Sequence, residues 1–134
     1  MRYLNEEDRE LASRFLFLSM ALVVMAQDIR TIENGPHKIK EPYLELLRKM
    51  EHKGKSERSY LRQIMQQKKI HVIFLNKNES FSSYLFTADG YEEKRNYFNP
   101  AIRKNVETIL FELMRKALLP AQDQRASSYI GDAR

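Results

Sequence analysis

The longest apolar stretch of the chain lies near its beginning and predicts a buried helix. Asn5 followed by Asp8 is a variant of the capping box, and neither Pro nor Gly interrupts the chain before Gly35 and Pro36. The pattern therefore predicts a helix over residues 6–33. Residues 15–26 are apolar around the whole helical circumference, which is wider than the stripe of a surface helix. This helix is either central to the fold or packed against a second copy of the chain.

The next segment keeps helical spacing but contains an interruption. Pro42 suits the first turn of a helix, and apolar residues recur at helical intervals from there until Gly54. Ser56 is a good N-cap for a further helix. The sequence therefore predicts two helices, over residues 42–53 and 57–68, joined by a tight turn at Gly54.

Beyond these helices the period of the apolar residues changes from that of a helix toward that of a strand. Residues 70–75 are β-branched and aromatic and apolar on both faces, which predicts an interior strand. Residues 81–87 and 91–98 predict two more strands, and Asp89-Gly90 between them is a strong signal for a two-residue hairpin. Charged residues in the last strand suit a sheet edge. Together the three strands make an antiparallel meander.

An amphipathic helix is predicted to follow the last strand. Asn99 is an N-cap, Pro100 suits the first helical position, and the apolar spacing continues to about Leu119. The predicted fold class is α+β, with a long N-terminal helix, a helix-turn-helix, a three-stranded antiparallel meander and a C-terminal amphipathic helix. Residues 1–120 are expected to form a single domain, and residues 121–134 a flexible tail.

Length and composition agree with one globular domain. The chain has 134 residues, of which 43% are hydrophobic and 31% charged, and it contains no cysteine, which excludes disulfides and suits a reducing compartment. The acidic N-terminal segment has the wrong charge for a signal peptide. The apolar stretch at residues 15–26 is shorter than the roughly 20 residues of a membrane span. We therefore expect a cytoplasmic protein with no membrane association.

The residue pattern offers little material for a catalytic or metal site. His37, His52 and His71 lack the short spacings of a preformed metal site. Glu92 and Lys94 share a face of the last strand, as in metal-dependent nucleases, but the acids before them lie only in predicted turns. Cross-strand ion pairing at a solvated edge accounts for both residues. We expect no enzymatic activity, no metal and no cofactor, and a nuclease is the strongest enzymatic alternative.

Positive charge is concentrated in one window of the chain. Residues 37–69 contain ten Lys or Arg against four acids, whereas the rest of the chain is close to neutral. Such a window is typical of a surface that binds nucleic acid, although it also suits a helix face that is only solvated.

The order of elements over residues 42–86 resembles the winged helix-turn-helix superfamily of DNA-binding proteins. The resemblance rests on two helices, a tight turn and a β-hairpin in that order. It implies a transcription regulator whose second helix enters the major groove of double-stranded DNA with its outward face. The residues implied to contact bases are Arg58, Ser59, Arg62, Gln63 and Gln66, and those implied to hold phosphates are Lys53, Lys55, Lys68, Lys69 and Lys77.

A second function remains open on the same pattern. The chain is then a homo-oligomeric protein-interaction or regulatory protein with no nucleic-acid role, in which the sheet and first helix form the interface and the basic face is only solvated. Under either function we expect a homo-oligomer formed through the first and last helices, because monomers rarely expose large contiguous apolar patches.

Overall fold

The computed structural model describes residues 3–119 of the chain and confirms the predicted α+β class. The elements in chain order are α1 (Glu6–Asn34), α2 (Glu41–Lys68), β1 (Ile70–Lys77), β2 (Phe81–Ala88), β3 (Tyr91–Phe98) and α3 (Asn99–Leu118). The single-domain prediction covers nearly the same residues as this structure. The predicted flexible tail, residues 121–134, lies outside the described residues.

The first helix begins where the sequence predicts and runs through the middle of the fold. The Oδ1 atom of Asn5 accepts a hydrogen bond from the backbone N–H of Asp8 at 2.8 Å, which caps α1. The helix packs against α2, α3 and the sheet. Leu18 is completely buried, and Val23 is the only exposed residue within 15–26. The first helix is therefore central to the fold, and most of its apolar stretch packs against the rest of the described chain.

By length and composition alone, α1 could cross a membrane. One 18-residue window of the helix has a mean hydropathy of 1.6, and 33% of that window is buried inside the fold. The core helix of a globular protein passes the same test, and so does a signal sequence near the N-terminus. Length and hydropathy by themselves therefore assign no membrane role to α1.

The structure corrects the predicted helix-turn-helix, because residues 42–53 and 57–68 belong to one continuous helix, α2. Gly54 lies in the middle of α2, at a close approach of three helices. A Cβ atom built at Gly54 would lie 2.9 Å from Leu22 Cδ2 and 3.2 Å from Leu113 Cδ1. Glycine in a helix interior costs about 1 kcal/mol relative to alanine. Gly54 is therefore a packing residue rather than a turn residue.

Arg14 of α1 ties the three helices together. Its Nε donates a hydrogen bond to Glu57 of α2 at 2.7 Å, and its Nη1 donates one to Glu112 of α3 at 2.7 Å. The hydrogen bond from Arg14 is the main reason that the pKa of Glu57 is lowered, and the same bond raises the pKa of Arg14. Lys116 of α3 adds an ion pair to Glu57 at 3.7 Å. The charges in this cluster are therefore paired within the fold.

The sheet is the predicted meander, in the order β1-β2-β3. Asp89 and Gly90 have φ angles of 34° and 91°, the left-handed conformations that a two-residue hairpin needs. The prediction for residues 70–75 is wrong in one respect, because β1 is an edge strand rather than an interior one. Because residues 70–75 are apolar on both faces, their pattern predicts that other elements cover both faces of the strand. The helices bury the start of β1 at Ile70 but leave Phe74 exposed.

One face of the sheet packs against α1. Phe86, in the central strand, is completely buried. Glu93 of β3 is also buried, and its carboxylate accepts hydrogen bonds from Arg9 of α1 at 3.1 Å and from Arg95 at 2.9 Å. The contact from Arg9 links β3 to α1, and the contact from Arg95 lies within β3.

Candidate functional site

A groove of about 470 Å³ runs between the second half of α2 and the first half of β1. Ligand pockets commonly have volumes of about 300 to 1,000 Å³. The groove is lined by Phe15, Arg58, Arg62, Met65, Gln66, Ile70, His71, Val72 and Ile73. Its lining therefore combines apolar side chains with two arginines and contains no carboxylate.

Arg58 is held in this groove by contacts that leave its charge unpaired. Its Nε donates a hydrogen bond to the Ser19 hydroxyl at 2.7 Å, and Ser19 donates in turn to the backbone oxygen of Phe15 at 2.7 Å. The guanidinium lies 4.6 Å from the centre of the Phe15 ring, within cation–π range. Among residues 3–119, no carboxylate forms an ion pair with it. The side chain is therefore oriented in advance, which lowers the entropic cost of binding.

Two further cations add positive charge to this end of the molecule. Arg62 follows Arg58 by one helical turn, is exposed, and has no ion pair in the part of the chain that the structure describes. Lys69 is exposed and adopts a φ of 59°, which turns the chain from α2 into β1. The groove therefore favours an anionic ligand.

The first half of β1, which lines the groove, belongs to an edge strand of the sheet. β1 pairs with β2 along one edge, and no other strand pairs with it within residues 3–119. An edge strand presents unpaired backbone N–H and C=O groups. Ile73, Phe74 and Leu75 are 45%, 57% and 40% exposed, so three consecutive apolar residues lie on this edge. An exposed apolar strand edge is typical of an interaction site.

The structure gathers only part of the predicted nucleic-acid site. Arg58, Arg62 and Gln66 line the groove together. Ser59 and Gln63 are exposed beside a separate shallow cleft on the neighbouring face of α2. The five residues predicted to contact bases therefore divide between two surfaces.

The lysines predicted to hold phosphates do not converge. Lys55 and Lys68 each pair with a carboxylate of the chain, at 3.6 Å and 2.9 Å. Lys53 lies about 200° around α2 from Lys55, and it lines a different cleft, which the end of α3 borders. Lys77 lies at the far end of β1, in a cleft beside the start of α3. A single phosphate-binding surface does not follow from these positions.

The continuous α2 also removes the element that carried the winged-helix resemblance. A helix-turn-helix presents its recognition helix after a tight turn, whereas α2 runs unbroken from Glu41 to Lys68. The outward positions near Arg58 border a strand edge instead. DNA binding stays a prediction, without the turn on which it rested.

Two features that define the groove do not follow from the local sequence pattern. The pattern of residues 70–75 predicts an interior strand, although the first strand of a three-stranded meander is necessarily an edge. Ser19 lies within an apolar stretch and is the only polar residue in 15–26. A lone polar residue among apolar ones needs a hydrogen-bond partner, and that need was the available signal for the contact with Arg58.

Two other surfaces have fewer of the features that a binding site needs. A cleft of about 690 Å³ between α1, α3 and the sheet has an apolar floor that includes Met20 and Val106. Glu92 and Lys94 are both exposed on β3. Within residues 3–119, no group of three or more His, Cys, Asp or Glu side chains is arranged to hold a metal ion. The groove beside β1 alone among these sites combines oriented charge, apolar surface and free backbone groups.

The fold and the groove define a small α+β domain with three packed helices and a sheet that is open at β1. The model of the YhjD protein family matches residues 3–118 of this chain. A relative from Bacillus subtilis strain 168, described as uncharacterized protein YhjD, is 36% identical over 110 residues, which are 82% of this chain and 92% of the relative. The chain therefore belongs to the YhjD protein family. No solved structure matches it.

Proposed function

We propose that this protein is a non-catalytic protein-interaction module that binds an extended segment of a partner protein as a fourth strand beside β1. The observation that carries the proposal is the unpaired, apolar edge of β1. In binding by strand addition, main-chain hydrogen bonds supply affinity, and side-chain pockets supply specificity. The groove along α2 offers such pockets.

The lack of protection along residues 70–74 of β1 supports the proposal. Natural sheets guard their edges with lysine, proline, bulges or a covering element. No charged residue or proline lies between Ile70 and Asn76. The shift of register between Phe74 and Asn76 and the charge of Lys77 protect only the end of β1, so residues 70–74 form the regular and unprotected part of the strand. This stretch is long enough to pair with a short extended peptide.

The same edge favours a protein partner over double-stranded DNA. Unpaired N–H and C=O groups alternate along an edge strand, and another strand satisfies both kinds at once. A DNA backbone offers phosphate acceptors but no matching donors. Self-association through α1 and α3 stays a separate prediction, for which the exposed Phe111 and Leu118 of α3 are the available apolar residues.

The proposal is tested with a neutral synthetic peptide of about ten residues that alternates valine and glutamine, a length that a strand commonly has. We expect the peptide to protect backbone amides of β1, and not those of β3, from hydrogen exchange. Phe74→Lys should abolish this protection, because lysine on an edge opposes strand pairing.

Phe98→Lys is the matched control on the other edge. Phe74 and Phe98 are exposed to similar extents, 57% and 51%, and each ring lies 5.6 Å from a ring of β2. The control variant should therefore keep the protection of β1. Equal loss of protection in the two variants, or protection of β3 in the unmodified protein, would contradict the proposal.

A further inference from the structure

We propose that the partner segment is acidic at alternate positions, with Asp or Glu side chains that face α2 and bind Arg58 and Arg62. This inference rests on the proposed function, because it concerns the segment that pairs with β1. It names the chemistry of the partner: an extended peptide in which acidic residues alternate with apolar ones.

The pleat of the sheet determines which side chains of the partner meet α2. Ile70 and Val72 pair with the buried residues Ala88 and Phe86 of β2, so these residues lie on the face that the helices cover. Successive side chains of a strand point to opposite faces. Every second side chain of an added strand would therefore point toward α2, beside the groove.

The charges on that face select an acidic side chain. The groove contains Arg58 and Arg62 and no carboxylate. Glu57 is the nearest acid along α2, and it is already paired with Arg14 at 2.7 Å. Because Ser19 and Phe15 hold Arg58 in place, a carboxylate would meet an oriented guanidinium, which favours a strong charge-assisted hydrogen bond.

The opposite face of β1 favours apolar side chains in the partner segment. Ile73 pairs with Leu85 of β2, and Ile73 is 45% exposed on the face away from the helices. The partner's side chains on this face would lie beside Ile73 and bury apolar surface. Acidic and apolar residues should therefore alternate in the segment.

The same charges argue against a second copy of this chain as the occupant. Antiparallel pairing of two β1 strands would place the Arg58 and Arg62 groups of both copies on one face of the joined sheet. Lys69 precedes β1 and Lys77 ends it, so antiparallel pairing would bring lysines of the two copies near each other. Like charges across strands are destabilising. A different, acidic chain fits this edge.

The inference is tested with three matched peptides of about ten residues, in which valine alternates with glutamate, glutamine or lysine. We expect the glutamate peptide to bind at least about tenfold more tightly than the glutamine peptide, and the lysine peptide to bind most weakly, as charge complementarity requires. Arg58→Gln and Arg62→Gln should each reduce the affinity for the glutamate peptide several-fold. The loss of affinity for the glutamine peptide should be clearly smaller, because a neutral amide gains less than a carboxylate from a guanidinium.

Arg103→Gln is the control variant, because Arg103 is exposed on α3 and lies away from the groove. It should leave all affinities unchanged. Equal binding of the glutamate and glutamine peptides, with β1 amides protected by both, would overturn the inference and leave the proposed function standing. Failure of every peptide to protect β1 would overturn both. Displacement of the glutamate peptide by short double-stranded DNA at near-equal concentration would also overturn the inference.

Discussion

Arg14 and Arg58 are both partly buried between α1 and α2, yet their surroundings differ. Arg14 binds two carboxylates, from Glu57 at 2.7 Å and from Glu112 at 2.7 Å. Arg58 is held by the Ser19 hydroxyl and the Phe15 ring, and no carboxylate in the described part of the chain pairs with it.

The difference separates a structural charge from a charge available to a ligand. The charge of Arg14 is neutralised by two carboxylates of the same chain, so its contribution is to hold the helices together. The contacts of Arg58 fix its position without neutralising it, which is the arrangement expected of a binding group that is organised in advance. Residue type and burial alone would not have distinguished the two arginines.

The largest difference between Arg14 and Arg58 should be in how much each stabilises the folded protein. Arg14→Met leaves Glu57 and Glu112 without their charged hydrogen bonds, so we expect the free energy of unfolding to fall by about 2–3 kcal/mol. Arg58→Met removes one hydrogen bond to a hydroxyl and one cation–π contact, and should cost about 1 kcal/mol. Urea denaturation with a shared slope measures both.

For the affinity of the glutamate peptide, the order of the two effects should be reversed, with the larger loss in the Arg58 variant. Arg14→Met should keep the affinity of the unmodified protein at temperatures where it is folded, whereas Arg58→Met should lose most of it. If the two variants lose stability equally and neither loses affinity, Arg58 is structural, and the comparison fails.

A smaller effect is expected in the dependence of stability on pH. The pKa of Glu57 is lowered, chiefly by the hydrogen bond from Arg14, so the folded protein holds this carboxylate charged to lower pH than the unfolded chain does. The resulting stability is present above the unfolded pKa of 4.5 and is lost as pH falls through the folded pKa. Glu57→Gln should cost about 1 kcal/mol at pH 7, and its difference from the unmodified protein should shrink in acid.

Thermal or urea unfolding measured between pH 7 and acid checks this dependence. Glu45→Gln is the control, because Glu45 is exposed on α2 and its ion pair with Lys49 is long, at 3.7 Å. The control should follow the unmodified protein over the whole range. A difference for Glu57→Gln that stays constant as pH falls would mean that the carboxylate does not titrate differently in the folded state.

Local signals predicted most of the fold. The cap at Asn5 and the hairpin at Asp89-Gly90 each depend on a few adjacent residues, and the structure has an element boundary at both. The last helix begins at Asn99 with Pro100 in its first turn, but the predicted cap at Asn99 is wrong, because the N-cap is Phe98 and no side chain caps the helix. Patterns of this kind carry their own physical cause, such as a backbone donor that needs an acceptor or a turn that needs positive φ.

The features that failed depend on residues distant in sequence. Gly54 is also a common turn signal, and its role in packing follows only from Leu22 and Leu113, which approach from two other helices. The groove likewise needs Ser19 of α1 beside Arg58 of α2. The pattern of one segment does not show which residues of another segment it contacts. The sequence therefore shows the basic window at residues 37–69, but it does not show which of those charges are paired.

The smallest expected effect concerns DNA, where Arg58 and Arg62 were predicted to contact bases. Because the lysines do not converge and no turn presents a recognition helix, we expect short DNA duplexes to bind weakly, through phosphates and without sequence preference. Arg58→Ala, Arg62→Ala and Lys55→Ala should then weaken binding by similar small factors on every sequence, and each lost phosphate contact should reduce the slope of log affinity against log salt by about 0.9. A base-contacting arginine would instead cost about 1–3 kcal/mol on a preferred sequence. Titrations of several duplexes at several salt concentrations separate the two results, and a sequence-dependent loss confined to the two arginines would favour DNA over an acidic peptide as their ligand.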